Sequence, residues 1–348
     1  MLFATANADT ASTKKMRMDM RQRTGFAAFC LAAVLSVNGE APLAAETWPS
    51  RPITMVVPFA PGSSSDVSGR VLGAGLSEFL GQQVVIENVP GGGGMTGTAR
   101  VAKAPPDGYQ FVFASVDSMA IVPAMHKKPL YDSVADFAPV GLAVEQPIVL
   151  ITRKDLPVNS MGEFAAYAKA HHNQMQFGSA GVGSGSHFSC ARLNVALGVD
   201  TTHVPYRGSN LAIQDLIAGR IDYVCSLAAA AMGAIEGEQV KPIALLANEQ
   251  SALFPGLKTA KEFGFPGMAS NFWTAFFFPK GTPDGIVQKL SEATNRTLSS
   301  PVTVERLKKS GVTPVAPESR SPAYLTTFVG TEIESWAAQV KSSGVAIE

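Results

Sequence analysis

Short apolar segments alternate with amphipathic ones along the chain after residue 50. Apolar runs at 52–59, 84–88 and 111–115 predict strands, and the segment 66–81 carries apolar residues at helical spacing before a glycine that stops the helix. A second series of the same kind starts near residue 148 and contains five further predicted strands. This alternation is typical of a parallel α/β sheet, so two series predict two α/β lobes with a cleft between them.

The last part of the chain has a different pattern. The run FWTAFFFP at 272–279 predicts a buried strand, and helical patterns follow at 286–298 and around 324–340. The sequence contains no internal repeat and no low-complexity linker. The chain is therefore predicted as two α/β sets in tandem, followed by a helical tail.

The first 45 residues have the pattern of a secretory signal peptide. Five basic residues between Lys14 and Arg23 precede an apolar stretch at 25–37, and small residues then offer a cleavage site after Ala45. The apolar stretch is shorter than the roughly 20 residues that a membrane span needs. We therefore assign residues 1–45 to a signal peptide, which predicts export to the periplasm. The alternative interpretation is a buried apolar N-terminal helix.

Charge and cysteine content narrow the classes of function. Lys and Arg total 28 and Asp and Glu total 28, so no charge excess indicates nucleic-acid binding. The cysteines after residue 45 are Cys190 and Cys225, which could pair in an oxidising compartment or be two buried small apolar residues. The sequence has no Cys/His spacing typical of zinc, so we expect no metal site.

The loops that follow the predicted strands are rich in Gly and Ser and poor in charge. Ligands of parallel α/β sheets gather at the carboxyl ends of the strands, where these loops lie. The loops are FAPGSSSD, ASVDS, GSAGVGSGSH, PYRGS and the position after IDYVC. The candidate ligand-binding residues are Phe59, Pro61, Gly62, Ser63, Ser64, Ser65, Asp66, Ser115, Asp117, Ser179, Gly181, Gly183, Ser184, Gly185, His187, Pro205, Tyr206 and Ser226.

Two of these loops, at 59–66 and 178–187, each lead into a predicted helix. The first-turn N–H groups of a helix have no intrahelical acceptor, and the helix dipole favours an anion there. The two loops could therefore hold the two ends of one small anion. The alternative is ordinary capping, by Ser65 or Asp66 in the first loop and by Ser186 in the second.

Two enzymatic interpretations are weaker. The glycines at 92–97 have the spacing of a dinucleotide-binding loop, but nicotinamide cofactors are cytoplasmic and the chain is predicted to be exported. Ser184 is not a nucleophile elbow, because glycines would have to stand two residues to either side of it. His187 is expected to bind ligand or brace its loop, and His203, within an apolar strand, to be structural. We expect no cofactor.

The ordered motifs resemble those of a known family. WPSRPITMVVPFAPGSSSD, GQQVVIENVPGGGGMTGT, APPDGY, GSAGVGSGSH, HVPYRGSNLAIQDLIAGRID and FPKGTP occur in this order. As a set they resemble the Bug/TctC family, the extracytoplasmic solute receptors of tripartite tricarboxylate transporters. The resemblance covers the chain from about Trp48 to the C-terminus. The glycine segment is then similar to a family turn into the second helix, and it has no cofactor role.

This resemblance implies a fold, a function and partners. The fold is the α/β type II periplasmic-binding-protein fold, with lobe 1 formed by 46–148 plus 271–348 and lobe 2 by 149–270. The chain crossings are expected near 148–152 and 270–276. The function implied is that of a non-enzymatic, monomeric periplasmic receptor that closes on a small carboxylate and serves the membrane subunits of a transporter. The alternatives are a sensor accessory that signals to a membrane kinase, or a secreted hydrolase using Ser184 and His187.

Departures from the family pattern fall in the candidate loops. Ser63 replaces a second glycine, Ser226 and Leu227 replace an acid and an Asn, and ASVDS replaces a neutral loop, so the resemblance does not identify the ligand. Asp117 could accept a hydrogen bond from a donor group of the ligand, or it could cap the segment that follows it. Arg207 is expected to point to solvent or brace its loop. The lobes, with no large apolar interface, are expected to open and close around the ligand.

Overall fold

The computed structural model describes residues 48–268 and 272–342. The predicted signal peptide, 1–45, lies outside the described residues. The strands in chain order are β1 (Ile53–Val57), β2 (Val84–Asn88), β3 (Gln110–Ser115), β4 (Phe137–Gln146), β5 (Ile148–Arg153), β6 (Gln176–Ser179), β7 (Thr202–Pro205), β8 (Tyr223–Leu227), β9 (Val240–Leu245), β10 (Phe272–Pro279) and β11 (Thr313–Pro314).

The helices lie between and after these strands. In chain order they are α1 (Ser64–Leu80), α2 (Met95–Ala102), α3 (Val122–Met125), α4 (Met161–His171), α5 (Gly185–Leu197), α6 (Ser209–Ile217), α7 (Ala228–Glu236), α8 (Asp284–Ser299), α9 (Pro301–Lys309) and α10 (Pro322–Ser342). Within the described ranges, no helix is both long and apolar enough to cross a membrane.

The first sheet has the strand order β11-β4-β10-β3-β1-β2. Strands β1, β2 and β3 are parallel, and β10 runs antiparallel between β3 and β4. All eight residues of β10 are buried, as the run FWTAFFFP predicts. The ring of Phe276 lies 5.6 Å from that of Phe111 and 4.9 Å from that of Phe113, so aromatic packing fixes β10 against β3.

The second sheet has the strand order β7-β6-β8-β5-β9. Strand β6 is parallel to β7 and β8, whereas β5 is antiparallel to β8 and β9. Because β4 ends at Gln146 and β5 begins at Ile148, the chain passes from the first sheet to the second at Pro147. The crossing expected near 148–152 lies just before that range, since residues 148–152 belong to β5, which pairs with β8 and β9. The return passage includes residues 269–271, which are outside the described ranges.

One apolar cluster includes residues from both sheets, which contradicts the expectation of no large apolar interface between them. The ring of Trp336 on α10 lies 5.1 Å from that of Phe188 on α5 and 5.8 Å from that of Phe272 on β10. Helix α10 is 21 residues long and contacts α5 through Trp336. It therefore contributes to the continuity of the cores of the two sheets.

A disulfide joins Cys190 of α5 to Cys225 of β8. Both cysteines are fully buried. Of the two possibilities that the sequence left open, pairing is the one observed. The bond fixes α5 to the second sheet near the middle of the helix.

Candidate ligand-binding site

Four helices begin around one small cavity. It has a volume of about 10 Å³, which is room for about one water molecule. The starts of α1, α5 and α6 contribute serines to the wall, and Leu227 stands directly before α7. The wall consists of Phe59, Ser63, Ser64, Ser65, Asp117, Ala180, Ser184, Gly185, Ser186, Ser209 and Leu227.

The charge of this wall is carried by Asp117 alone among the described lining residues, which include no Lys, Arg or His. The first residues or N-caps of four helices line this space, so the positive ends of four helix dipoles lie beside it. An anion here would be held by backbone N–H groups and hydroxyls rather than by a basic side chain. Arg207 is exposed and outside the wall, as predicted.

The loop before α1 is held by its own side chains. Ser63 caps α1 by accepting a hydrogen bond from the backbone N of Asp66, at 3.4 Å. The Asp66 carboxylate accepts from the backbone N of Gly62 at 2.8 Å and from the side chains of Arg70 and Asn88, each at 2.9 Å. Burial alone would raise the pKa of Asp66, but these hydrogen bonds hold it below its usual value. The capping role predicted for Ser65 or Asp66 is wrong; Ser63 caps, and Asp66 braces the loop.

Gln146, at the end of β4, connects two helix starts. Its side-chain oxygen accepts from the Ser64 hydroxyl at 2.5 Å and from the backbone N of Ala229 at 3.3 Å. Ser64 begins α1, and Ala229 lies in the first turn of α7. The residue just before the chain passes between the sheets therefore holds both helices at the cavity.

The loop before α5 is braced in a similar way. Ser184 caps α5 by accepting from the backbone N of His187 at 3.3 Å, and it donates to the Gly181 carbonyl at 2.6 Å. The hydroxyl of Ser186 accepts from the backbone N of Ala180 at 2.8 Å. The cap predicted at Ser186 is therefore wrong, since the helix begins two residues earlier than that prediction requires. Gly185, its first residue, has no space for a side chain: a Cβ there would lie 1.8 Å from Cε1 of Phe272.

His187 and His203 stack behind this loop, outside the cavity wall. Their ring centroids are 4.1 Å apart. The His187 Nδ1 accepts from the backbone N of Gly183 at 3.3 Å, and Nε2 of His203 is 2.6 Å from the Ser179 hydroxyl. Burial lowers the pKa of each ring to about 4, so both are neutral at pH 7. His187 braces the loop, one of its two predicted roles, and His203 is structural as predicted.

The Ser184–His187 pair does not have the geometry of a serine nucleophile. The Ser184 hydroxyl donates to the Gly181 carbonyl and accepts from the backbone N of His187. A serine nucleophile instead donates its proton to a base such as the imidazole ring. The hydrogen-bond partners of the Ser184 hydroxyl are the Gly181 carbonyl, the Ser186 hydroxyl and the backbone N of His187, and none of them is the imidazole ring.

Asp117 contacts the start of α5 in the cavity wall. It is 2% exposed; one carboxylate oxygen accepts from the Ser115 hydroxyl at 2.9 Å, and the other accepts from the backbone N of Gly185. Burial raises its pKa to about 6, although both hydrogen bonds favour the charged form. Asp117 is the first residue of a short π-helix, Asp117–Ile121. No side chain caps the start of this π-helix, where Val116 is the N-cap residue. The prediction that Asp117 caps its own following segment is therefore wrong: it caps α5.

The structure brings together only some of the candidate residues. Those in the cavity wall are Phe59, Ser63, Ser64, Ser65, Asp117, Ser184 and Gly185. Those outside it are Pro61, Gly62, Asp66, Ser115, Ser179, Gly181, Gly183, His187, Pro205, Tyr206 and Ser226. Tyr206, for example, donates to Asp215 at 2.7 Å instead.

Four wall residues were not among the individual candidates: Ala180, Ser186, Ser209 and Leu227. The first three lie in the candidate loops GSAGVGSGSH and PYRGS, and Leu227 directly follows the candidate Ser226. The sequence therefore located these loops but not which of their residues face the cavity. Among the described residues, no group of three or more His, Cys, Asp or Glu side chains could hold a metal ion.

Two α/β sheets around a central cavity that is ringed by helix starts define a solute-binding protein of the periplasmic type. The chain belongs to the Bug/TctC family of periplasmic solute-binding receptors, and the model of the tripartite tricarboxylate transporter family receptor matches residues 69–345. Both the type II periplasmic-binding-protein fold and the family predicted from the sequence are confirmed.

Three solved structures illustrate the similarity. The periplasmic binding protein BugD is 34% identical, with a TM-score of 0.83, over 86% of this chain and 99% of that one. MatC from Rhodopseudomonas palustris with bound malate is 38% identical, with a TM-score of 0.81, over 84% and 100%. Rpa4515 of R. palustris with adipate is 32% identical, with a TM-score of 0.82, over 86% and 99%.

Proposed function

We propose that this chain is an extracytoplasmic receptor that captures a small carboxylate between two lobes and delivers it to the membrane subunits of a tripartite tricarboxylate-type transporter. The observation that carries the proposal is the convergence of helix starts on a cavity whose described wall has no basic side chain. Helix N-termini bind carboxylates through their free N–H groups and their dipoles. Malate and adipate in the two ligand-bound family structures agree with this class of ligand.

The ligand carboxylate is held at the start of α1. Ser63, Ser64 and Ser65 lie in the wall there, and the Asp66 carboxylate of the same turn is already engaged by Arg70 and Asn88. The first-turn N–H groups of α1 are therefore not neutralised by a neighbouring acid. Their charge-assisted hydrogen bonds supply the affinity.

Capture requires the two halves to move apart. A cavity of about 10 Å³ cannot hold a dicarboxylate, so the ligand enters an open form and closure surrounds it. The lobes we propose are 46–148 with 271–348, and 149–270. The direct passage at Pro147, with Gln146 beside it, is one connection about which they turn. The receptor performs no chemistry on its ligand.

The test is to remove one N–H group from the start of α1 without breaking the helix. Ser64 is the first helical residue, and its predecessor Ser63 is extended, so proline is compatible with this position. Ser64→Pro removes the N–H and the hydroxyl, whereas the control Ser64→Ala removes only the hydroxyl. Calorimetric titration with C3 to C8 mono- and dicarboxylates should show one site, and Ser64→Pro should bind at least about tenfold more weakly than Ser64→Ala. Equal affinities of the two variants would contradict anion binding at this helix start.

A further inference from the structure

Asp117 has an unusual position for an acid in an anion site. Its carboxylate lies against the backbone N of Gly185, the first residue of α5, although the two residues are 68 positions apart in the chain. The start of α5 lines the same cavity as the start of α1. A carboxylate that belongs to the protein thus takes the hydrogen bond that a second carboxylate of a ligand would need.

The two helix starts therefore differ in charge. At α1 the nearby acid, Asp66, pairs with Arg70 at 2.9 Å and accepts from the backbone N of Gly62, so its carboxylate is engaged by groups outside the first turn of the helix. At α5 the dipole and the Gly185 N–H are already matched by Asp117, with no basic side chain in the described part of the wall. A second ligand carboxylate at α5 would meet a like charge across a few ångströms in a buried site, which is unfavourable.

We infer that Asp117 is a specificity-determining residue that replaces one carboxylate of the ligand, so that this receptor selects compounds with a single carboxylate and an uncharged hydrogen-bond donor at the other end. The inference rests on the proposed function, because it assumes that the first carboxylate binds at α1. Each oxygen of the Asp117 carboxylate accepts one hydrogen bond in this structure and has a further lone pair, so a ligand amide or hydroxyl can donate to it.

Matched pairs of ligands separate charge from size. Succinate and its monoamide, and adipate and its monoamide, have nearly the same length and differ by one charge. Wild-type protein should bind each monoamide at least about tenfold more tightly than the matching diacid. In Asp117→Asn the like charge is gone, so the diacid should gain at least about tenfold while the monoamide changes by less than about threefold.

The controls address charge and folding. Glu305→Gln removes an exposed acid of α9, far along the chain from the cavity loops, and should leave both affinities unchanged. Circular dichroism melting verifies that Asp117→Asn is folded, and Asp117→Ser is the second variant if it is not. Calorimetric titration of the protein after export gives the affinities.

Three results would overturn the inference, and one of them would also overturn the proposed function. Tighter binding of diacids than monoamides by wild-type protein would contradict it while leaving carboxylate binding intact. Equal gains for both ligand classes in Asp117→Asn would show that Asp117 is a displaceable cap without selectivity. If no monoamide or diacid binds either protein, the proposed carboxylate receptor is itself wrong, and the inference fails with it.

Discussion

At the scale of single residues, the stacked rings of His187 and His203 make the stability of the loop before α5 sensitive to acid. Burial lowers the pKa of both to about 4, and for His203 the neighbouring His187 contributes as well. The free imidazole titrates near pH 6.5, so the neutral rings stabilise the fold above about pH 6.5. That stability is lost as the pH falls from about 6.5 toward 4, because the two imidazoles are then protonated in the unfolded chain but remain neutral in the folded protein.

His203→Gln should therefore reduce the acid sensitivity of the protein. After allowance for partial exposure of the ring, the effect at pH 5 is on the order of 1 kcal/mol, or about 2–4 °C in melting temperature. The melting temperatures of wild type, His203→Gln and the control His171→Gln, an exposed histidine at the end of α4, should be compared at pH 7 and pH 5. The raised pKa of Asp117 has the opposite effect, because it stabilises the fold as the pH falls from about 6 to 4. Asp117 is present in all three proteins, so this effect is the same in each of them. Equal losses on acidification would contradict the account.

Residue roles in the site could be predicted only in part from the sequence. The sequence predicted the positions of the Gly- and Ser-rich loops before helices, because capping and anion binding both use those residues. Which side chain faces the cavity depends on the first residue of each helix, and caps at Ser63 and Ser184 instead of Ser65 or Asp66 and Ser186 shift that assignment. The contact of Asp117 with Gly185 is non-local, so no sequence spacing reports it.

At the scale of elements, the start of α5 is fixed by contact with β10. Gly185 lies directly against the ring of Phe272, which is 1% exposed and cannot move into solvent. Apolar runs revealed most strands, including β10, but the sequence did not reveal β4. That strand contains Pro139 and Gly141, which weaken a strand pattern, and its pairing with β10 shifts register beside them.

Gly185→Ala should destabilise the protein by about 1–3 kcal/mol, because the added methyl overlaps the ring of Phe272. Gly233→Ala in α7 is the matched control: it adds the same methyl where nothing lies within 4 Å. There the expected change is a gain of about 0.5–1 kcal/mol from helix propensity. Urea unfolding midpoints at constant m-value measure both. A neutral Gly185→Ala would show that α5 is not held closely against β10.

At the scale of the whole molecule, a shared apolar core and a polar cavity lie between the same two halves. Trp336 on α10 joins Phe188 and Phe272 in the shared cluster, whereas helix starts and serines line the cavity. The sequence predicted two α/β sets because each repeats the strand–helix pattern. It could not predict that α10 connects them, since the helical pattern of a terminal segment does not specify which sheet it packs against. A movement of the two halves that opens the cavity therefore also acts on this apolar contact, which either persists or breaks.

The structure of the exported protein with its tightest-binding carboxylate tests the central claim most directly. We predict one carboxylate of the ligand within about 2.7–3.2 Å of the backbone N of Ser64, with the two sheets closed around it. Asp117 should remain on the backbone N of Gly185 and face the other end of the ligand. A carboxylate bound to Arg207, or bound outside the cavity between the helix starts, would contradict the account.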